Sequence, residues 1–287
     1  VERSGLHIHF VNFIISILFF FGLFLNLKSN KYKLISILSA FLLVIVILSM
    51  GYVRQSMALS FILFFNYFFI NKKYLLSFIL IILAIASHKT SIIYFFFVIF
   101  CTFFLYKNLR QLKFIIPIAI LSLFFLYFYQ VDIFRMTKVY LTEEVMLSID
   151  INQKLSSTGI IFKAPILLFF VCIYYFFFKD LKFINKNEKL IFNSFIFLII
   201  IPLPFLGYFS SFVDRIFVYC YVFIPLLLNK IFNSNVFRNI KTQFLFQLFL
   251  IIFSFLTLIT WIEFAYHSKY WNPYKNILLS KYVKFDE

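Results

Sequence analysis

The chain has 287 residues, of which 63% are hydrophobic, 24% aromatic and only 13% charged, with a formal net charge of +16. Soluble domains carry about a quarter charged residues and cannot cover this much apolar surface, so a soluble fold is excluded. Long apolar runs recur from end to end without strand-like alternation, which excludes an outer-membrane barrel and predicts an all-α, polytopic membrane protein forming one domain over residues 1–287.

The chain opens on Val1, with no basic n-region and no small-residue cleavage site, so no signal peptide is expected. A non-standard start, or a missing front, is the expectation. Ten spans follow: Phe10–Leu27, Leu34–Met50, Tyr52–Ile70, Tyr74–Ser87, Lys89–Tyr106, Lys113–Tyr129, Gly159–Phe178, Leu190–Tyr208, Ser211–Leu228 and Gln243–Tyr266. Alternate connections hold Lys28, Lys31, Lys33; Lys72, Lys73; Lys107, Arg110, Lys113; Lys179, Lys182, Lys186, Lys189; and Lys230, Arg238, Lys241, with Asp180 and Glu188 as their only acids. The positive-inside rule turns these loops to the cytoplasm and both termini outward, in a bacterial cytoplasmic membrane. The cations are spread over short loops, which argues for contact with anionic lipid and against nucleic acid.

Three interruptions break the apolar runs. Leu34–Ile70 as one helix would be roughly 56 Å long against a hydrocarbon core of about 30 Å. It must fold back, and Gly51 with Arg54-Gln55 marks the break. Tyr74–Tyr106 is interrupted by "SHKTS" at 87–91, and its first half is short, which recesses His88 and Lys89 below the outer surface. At Leu203–Tyr219, Pro202, Pro204 and Gly207 weaken one helix, and Asp214-Arg215 enter the next. All three breaks face outward under the charge rule, as re-entrant or short-helix reversals. Ionisable groups at such depth are tolerated where protein or a water-filled cavity satisfies them, so Arg54, His88 and Arg215 are expected to converge on one outward cavity. Blander readings stand beside this one: Arg54 snorkelling to headgroups, His88 as an ordinary turn residue, Asp214-Arg215 as a local ion pair.

Residues 131–158 form the one sizeable outward segment, with Ile133, Met136, Tyr140 and Leu147 near helical spacing for an interfacial helix, a lid or a plain connector. Tyr270, Trp271 and Tyr274 in the outward tail (267–287) suit an aromatic belt. Cys101, Cys172 and Cys220 lie mid-span and read as small core residues. Nucleotide-binding loops, zinc motifs and paired-acid metal motifs are absent from the sequence, so no cofactor and no protein-held metal is expected.

"YVRQSMALSFILF" followed by "KKYLLSFILIILAIASHKTSIIYF" resembles the EpsG family of Wzy-like polysaccharide polymerases, through Arg54, Gln55, Ala58, Lys72, Lys73, His88 and Ser91. "DRIFVYCYVFIPLLL" from Asp214 is similar to the family's later Arg-containing span, and "WNPYKNIL" from Trp271 to its closing segment. The family's opening spans, with a "GxRxxxGxDYxxY"-like loop, have no counterpart in this chain.

The resemblance implies polymerisation of lipid-linked repeat units into exopolysaccharide, capsule or O-antigen, with a polyprenyl-diphosphate donor and a lipid-linked acceptor. A flippase and a chain-length regulator are the implied partners. In that scheme Arg54 and Arg215 grip the diphosphate bidentately and His88 is the general base, with Asp214 or Glu263 in reserve. Gln55, Lys89, Ser91 and Asp214 are expected to contact substrate, and Tyr52 and Tyr208 to line the sugar path. A glycan ligase of the O-antigen type fits the same Arg/His logic. A transporter or flippase of lipid-linked sugars would instead require internal repeats and charges reaching the midplane from both sides.

Overall fold

The computed structural model describes residues 8–27, 36–37, 53–105, 160–206, 210–234, 237 and 239–264. Among them the chain is helical throughout and contains no strand. The helices are α1 (Ile8–Leu27), α2 (Val53–Ile70), α3 (Tyr74–Ser87), α4 (Ile92–Leu105), α5 (Ile160–Phe177), α6 (Lys186–Ile200), α7 (Ser210–Cys220), α8 (Phe223–Asn233) and α9 (Ile240–Phe264). Short 3-10 turns occupy Lys89–Ser91 and Leu203–Phe205. Phe10–Leu27, Lys186–Phe205, Phe212–Asn233 and Ile240–Thr257 are long and apolar enough to cross a membrane, and Tyr74–Ser87, Lys89–Phe103 and Lys163–Phe177 are shorter apolar helices. Every predicted span that falls on described residues is helical; Lys113–Tyr129, most of Leu34–Met50, the segment 131–158 and the tail from 267 lie outside them.

Two predicted spans are built differently from expectation. Ser211–Leu228 is two helices, because Pro225 has no N–H to offer the Tyr221 carbonyl and its ring crowds that oxygen. Tyr221 and Val222 form a tight turn instead, with Ile224 N donating to Tyr221 O at 3.1 Å. Leu190–Tyr208 begins earlier, at Lys186, where Asn185 caps the helix: its side chain accepts from Glu188 N at 3.0 Å, while Glu188 Oε2 accepts from Ile184 N at 2.6 Å. That reciprocal arrangement is a variant of the capping box in which the Glu188 carboxylate reaches the N–H one residue before the cap. The helix stops at Ile200, since Pro202 has no N–H for the Leu198 carbonyl and Pro204 none for that of Ile200.

Side-chain contacts fix which helix ends lie together. α2 and α3 form a hairpin through a Schellman turn, with Lys73 N donating to Phe68 O, Lys72 N to Phe69 O, and Lys72 left-handed at φ 61°. Asn185 Nδ2 donates to Ile70 O at 2.7 Å and Asn187 Nδ2 to Phe69 O at 2.9 Å, latching the start of α6 to that turn. Lys230, near the end of α8, pairs with Glu188 at 2.7 Å and donates to Lys182 O. Phe246 of α9 packs on Phe177 and Phe232, the last turns of α5 and α8. One end of the bundle therefore gathers Lys72, Lys73, Lys179, Lys182, Lys186, Lys189, Lys230 and Lys241. The opposite end holds the start of α2, the end of α3, the start of α5 and the start of α7. The charge asymmetry expected from the loops is thus reproduced by packing among the described residues.

Between the ends lies an aromatic core. Tyr94 packs on Phe65, Phe95 and Phe195, and Phe223 packs on Tyr174, Phe192 and Phe195. Edge-to-face and tilted arrangements let these rings interlock α2, α4, α5, α6 and α8. Tyr94 is fully buried and satisfies its hydroxyl on Asn66 Oδ1 at 2.5 Å. Cys101 and Cys220 are buried as expected, but Cys172 is exposed on α5. It is a weakly polar side chain on an outward helix face, flanked by buried Val171 and Ile173, and not a core residue.

Candidate functional site

The break in "SHKTS" is where the sequence places it. α3 ends at Ser87, whose hydroxyl turns back to Leu83 O at 2.7 Å, and His88 adopts an extended backbone with φ −154° and ψ 118°. The 3-10 turn Lys89–Ser91 follows, packed against α2, α3, α4 and α7. Local side-chain bonding competes with the helix here: Thr90 Oγ1 lies 2.7 Å from His88 Nδ1, two residues back.

Tyr219 of α7 closes the cluster. Its hydroxyl is 2.9 Å from His88 Nδ1 and 2.9 Å from Thr90 Oγ1, so the three polar atoms form a triangle. Tyr219 is buried, while His88 is half-buried. Among the described residues His88 Nε2 makes no hydrogen bond.

Two length counts give His88 the same depth. α3 has 14 residues, about 21 Å, between the basic end and His88. Tyr219 lies about as many residues before Asn233, the last residue of α8. Both fall short of a hydrocarbon core of about 30 Å.

The charges of two guanidiniums act on this histidine. Arg54 stands in the first turn of α2 and Arg215 in the middle of α7; both are exposed, and neither is in an ion pair among the described residues. Partial burial, then the charge of Arg215, then that of Arg54 hold the His88 pKa below its ordinary 6.5. The imidazole is consequently neutral near pH 7, with a lone pair available to take a proton. Arg54 and Gln55 are thus helical, within α2, and any fold-back at Gly51 lies outside the described residues.

Gln55 and Ser91 are buried, and among the described residues Gln55 Oε1 and Ser91 Oγ have no hydrogen-bond partner. Buried polar atoms are almost always paired, so these two are exceptions that need a reason. Lys89 is exposed at the start of the turn. Asp214 is buried, and its Oδ1 lies 2.6 Å from Lys163 Nζ, at the start of α5. The local Asp214–Arg215 pair that the sequence allowed is therefore not formed. Tyr52 and Tyr208 lie outside the described residues, and Glu263 falls near the end of α9.

The structure thus joins His88 to Thr90 and Tyr219, and Asp214 to Lys163, partners that sequence reasoning missed, while Arg54 and Arg215 act on His88 through their charge. Thr90 carried a signal in its spacing from His88; Tyr219 carried none. Among the described residues no three His, Cys, Asp or Glu side chains gather into a metal-binding group.

No curated protein and no solved structure matches the chain. A sequence profile does: that of the EpsG family aligns with residues 1–276, nearly the whole chain, and takes in every residue of the cluster just described. Apolar helices of spanning length and that alignment lead to one conclusion: the chain is an integral membrane protein and belongs to the EpsG family, a family of Wzy-like polysaccharide polymerases.

Proposed function

We propose that this protein polymerises lipid-linked oligosaccharide repeat units at the outer face of the bacterial cytoplasmic membrane, by glycosyl transfer from a polyprenyl-diphosphate donor. The chain crosses the membrane ten times, and its reversals at Arg54, His88 and Arg215 open outward. The observation that carries the reading is the half-buried His88, oriented by Tyr219 and Thr90 and kept neutral by burial and by the charges of Arg215 and Arg54, neither of which is in an ion pair among the described residues.

The reaction balances on these groups. The acceptor hydroxyl oxygen attacks the anomeric carbon of the donor sugar, and its proton passes to His88 Nε2. The bond between the anomeric carbon and the diphosphate oxygen breaks, and the lipid diphosphate leaves with the electron pair. Arg54 and Arg215 bind that diphosphate and stabilise the charge growing on it in the transition state. Gln55 Oε1 and Ser91 Oγ, buried and without a partner among the described residues, suit sugar hydroxyls. Lys89, Tyr52 and Tyr208 complete the substrate path, whereas Asp214 is taken up by Lys163 and does not contact substrate; a flippase and a chain-length regulator are the natural partners.

Purified protein in detergent, supplied with lipid-linked repeat units, tests this. Arg54→Ala, Arg215→Ala and His88→Ala should each abolish extension beyond one or two repeats. Full polymer length from Arg54→Ala would remove the diphosphate role.

A further inference from the structure

Lys163 is a buried cation, and the scheme above leaves it unused. It lies in the first turn of α5, and its Nζ meets Asp214 Oδ1 at 2.6 Å, with both side chains about one-tenth exposed. Such a pair is a poor device for stability: desolvating two charges costs about as much as their attraction returns, and an apolar pair would hold α5 to α7 equally well. Another reason is needed, and the next residue along α7 supplies it.

Arg215 follows Asp214 directly. Consecutive helix positions diverge by about 100°, but an arginine is long and flexible enough to curl back towards an adjacent carboxylate. A bidentate carboxylate contact is the interaction a guanidinium makes best. An Asp214 left to itself would therefore neutralise Arg215 before any anionic ligand arrived. In the structure Asp214 is drawn to the buried side by Lys163, while Arg215 is exposed and free of ion pairs among the described residues.

We infer that Lys163 is a positioning residue that sequesters Asp214, so that the guanidinium of Arg215 stays available to an anionic ligand. This rests on the reading of Arg215 as a diphosphate ligand. The pair is then a charge-sorting device: one cation is spent on the acid so that its neighbour is not.

The inference separates two variants that a mere anchor would make equivalent. Lys163→Met and Asp214→Asn both break the pair, and both should lower the thermal midpoint in detergent. Only Lys163→Met releases a carboxylate beside Arg215. Binding of farnesyl diphosphate, measured by calorimetry on the full chain, should weaken about tenfold or more in Lys163→Met. Asp214→Asn and Lys163→Arg should stay within about twofold of the parent, and Lys163→Met/Asp214→Asn should recover. Equal loss in the two single variants, or an Asp214→Asn as weak as Arg215→Ala, would overturn the inference. Should Lys163→Met not fold, the Asp214→Asn arm decides alone. Unchanged binding in Arg215→Ala sinks the diphosphate reading itself, a separate failure.

Discussion

His88 Nδ1 and the Tyr219 hydroxyl lie 2.9 Å apart although 131 positions separate them in sequence, and Thr90 Oγ1 bonds to both. A hydroxyl pair at Nδ1 does what the orienting acid does in a catalytic triad: it fixes the ring plane and keeps the second nitrogen aimed outward. The base role of Nε2 requires Nδ1–H to donate to one of these oxygens. Tyr219→Phe should therefore lower the extension rate about tenfold through kcat, with KM for the donor little changed. Thr90→Val should behave alike, and Thr90→Ser should restore the rate. A Tyr219→Phe enzyme with parental kcat would dismiss this role.

The pH dependence follows from the same ring. Its pKa is depressed by burial, by Arg215 and by Arg54, in that order, from an ordinary 6.5. The folded state thus binds the proton less well than the unfolded state does. Stability from this group is complete above 6.5 and is lost as pH falls from there towards the lower folded value. The acid limb of the activity profile should likewise lie below 6.5. Arg215→Gln should raise the His88 pKa more than Arg54→Gln, since Arg215 exerts the larger effect. Site-resolved carbethoxylation of His88 against pH, read by mass spectrometry, checks both shifts. An unmoved titration in Arg215→Gln would show that the guanidinium does not face the ring.

What the sequence disclosed about this site depended on contrast. Arg54, His88 and Arg215 stand out because charges in apolar runs are costly and therefore conspicuous. Length arithmetic then placed Arg54 and His88 at breaks, and His88 does break a helix, whereas Arg215 lies in the middle of α7. Tyr219 was invisible for the opposite reason: it is one of 18 tyrosines in an aromatic-rich chain, and only packing of α7 on the Lys89–Ser91 turn selects it. Lys163 was hidden by its place at a span end, where a lysine is ordinarily explained by snorkelling. The split between α7 and α8 was legible in Pro225, but the unbroken apolar run around that proline outweighed it.

At the basic end, Glu188 is tied down three ways: to Ile184 N, to Asn185 through the capping box, and to Lys230 at 2.7 Å. Lys230→Met leaves a buried carboxylate without its counter-ion and should cost about 3–5 kcal/mol, within the range for broken buried pairs. Glu188→Gln keeps one acceptor oxygen for Ile184 N, leaves the bond from Glu188 N to Asn185 Oδ1 untouched and strands only a lysine that is close to the surface, so it should cost less. Thermal unfolding in detergent ranks the two. Neither should change the specific rate of the protein that remains folded, because the site lies at the other end. A Glu188→Gln less stable than Lys230→Met would show that the backbone contacts, and not the ion pair, dominate this corner.

α1 meets α2 at Gly22. A Cβ there would stand 3.0 Å from Leu63 Cβ and 3.4 Å from Ser60 O, both rigid parts of α2. One turn further on, Asn26 Nδ2 donates to Leu63 O and to Gly22 O, each at 2.8 Å, so the close approach is held by a bond between the helices as well as by packing. Glycine to alanine in a helix interior ordinarily stabilises by about 1 kcal/mol, because alanine has the better propensity. At Gly22 the sign should reverse. The added methyl must push the helices apart by a few tenths of an ångström, which loosens the packing of Leu23 and Leu63 and stretches the Asn26 bond. The penalty of about 1–3 kcal/mol for overpacking exceeds the gain in propensity. Gly22→Val, bulkier and β-branched, should be worse again. Midpoints of thermal unfolding for the parent, Gly22→Ala and Gly22→Val should fall in that order, and a Gly22→Ala protein more stable than the parent would rule out the close contact.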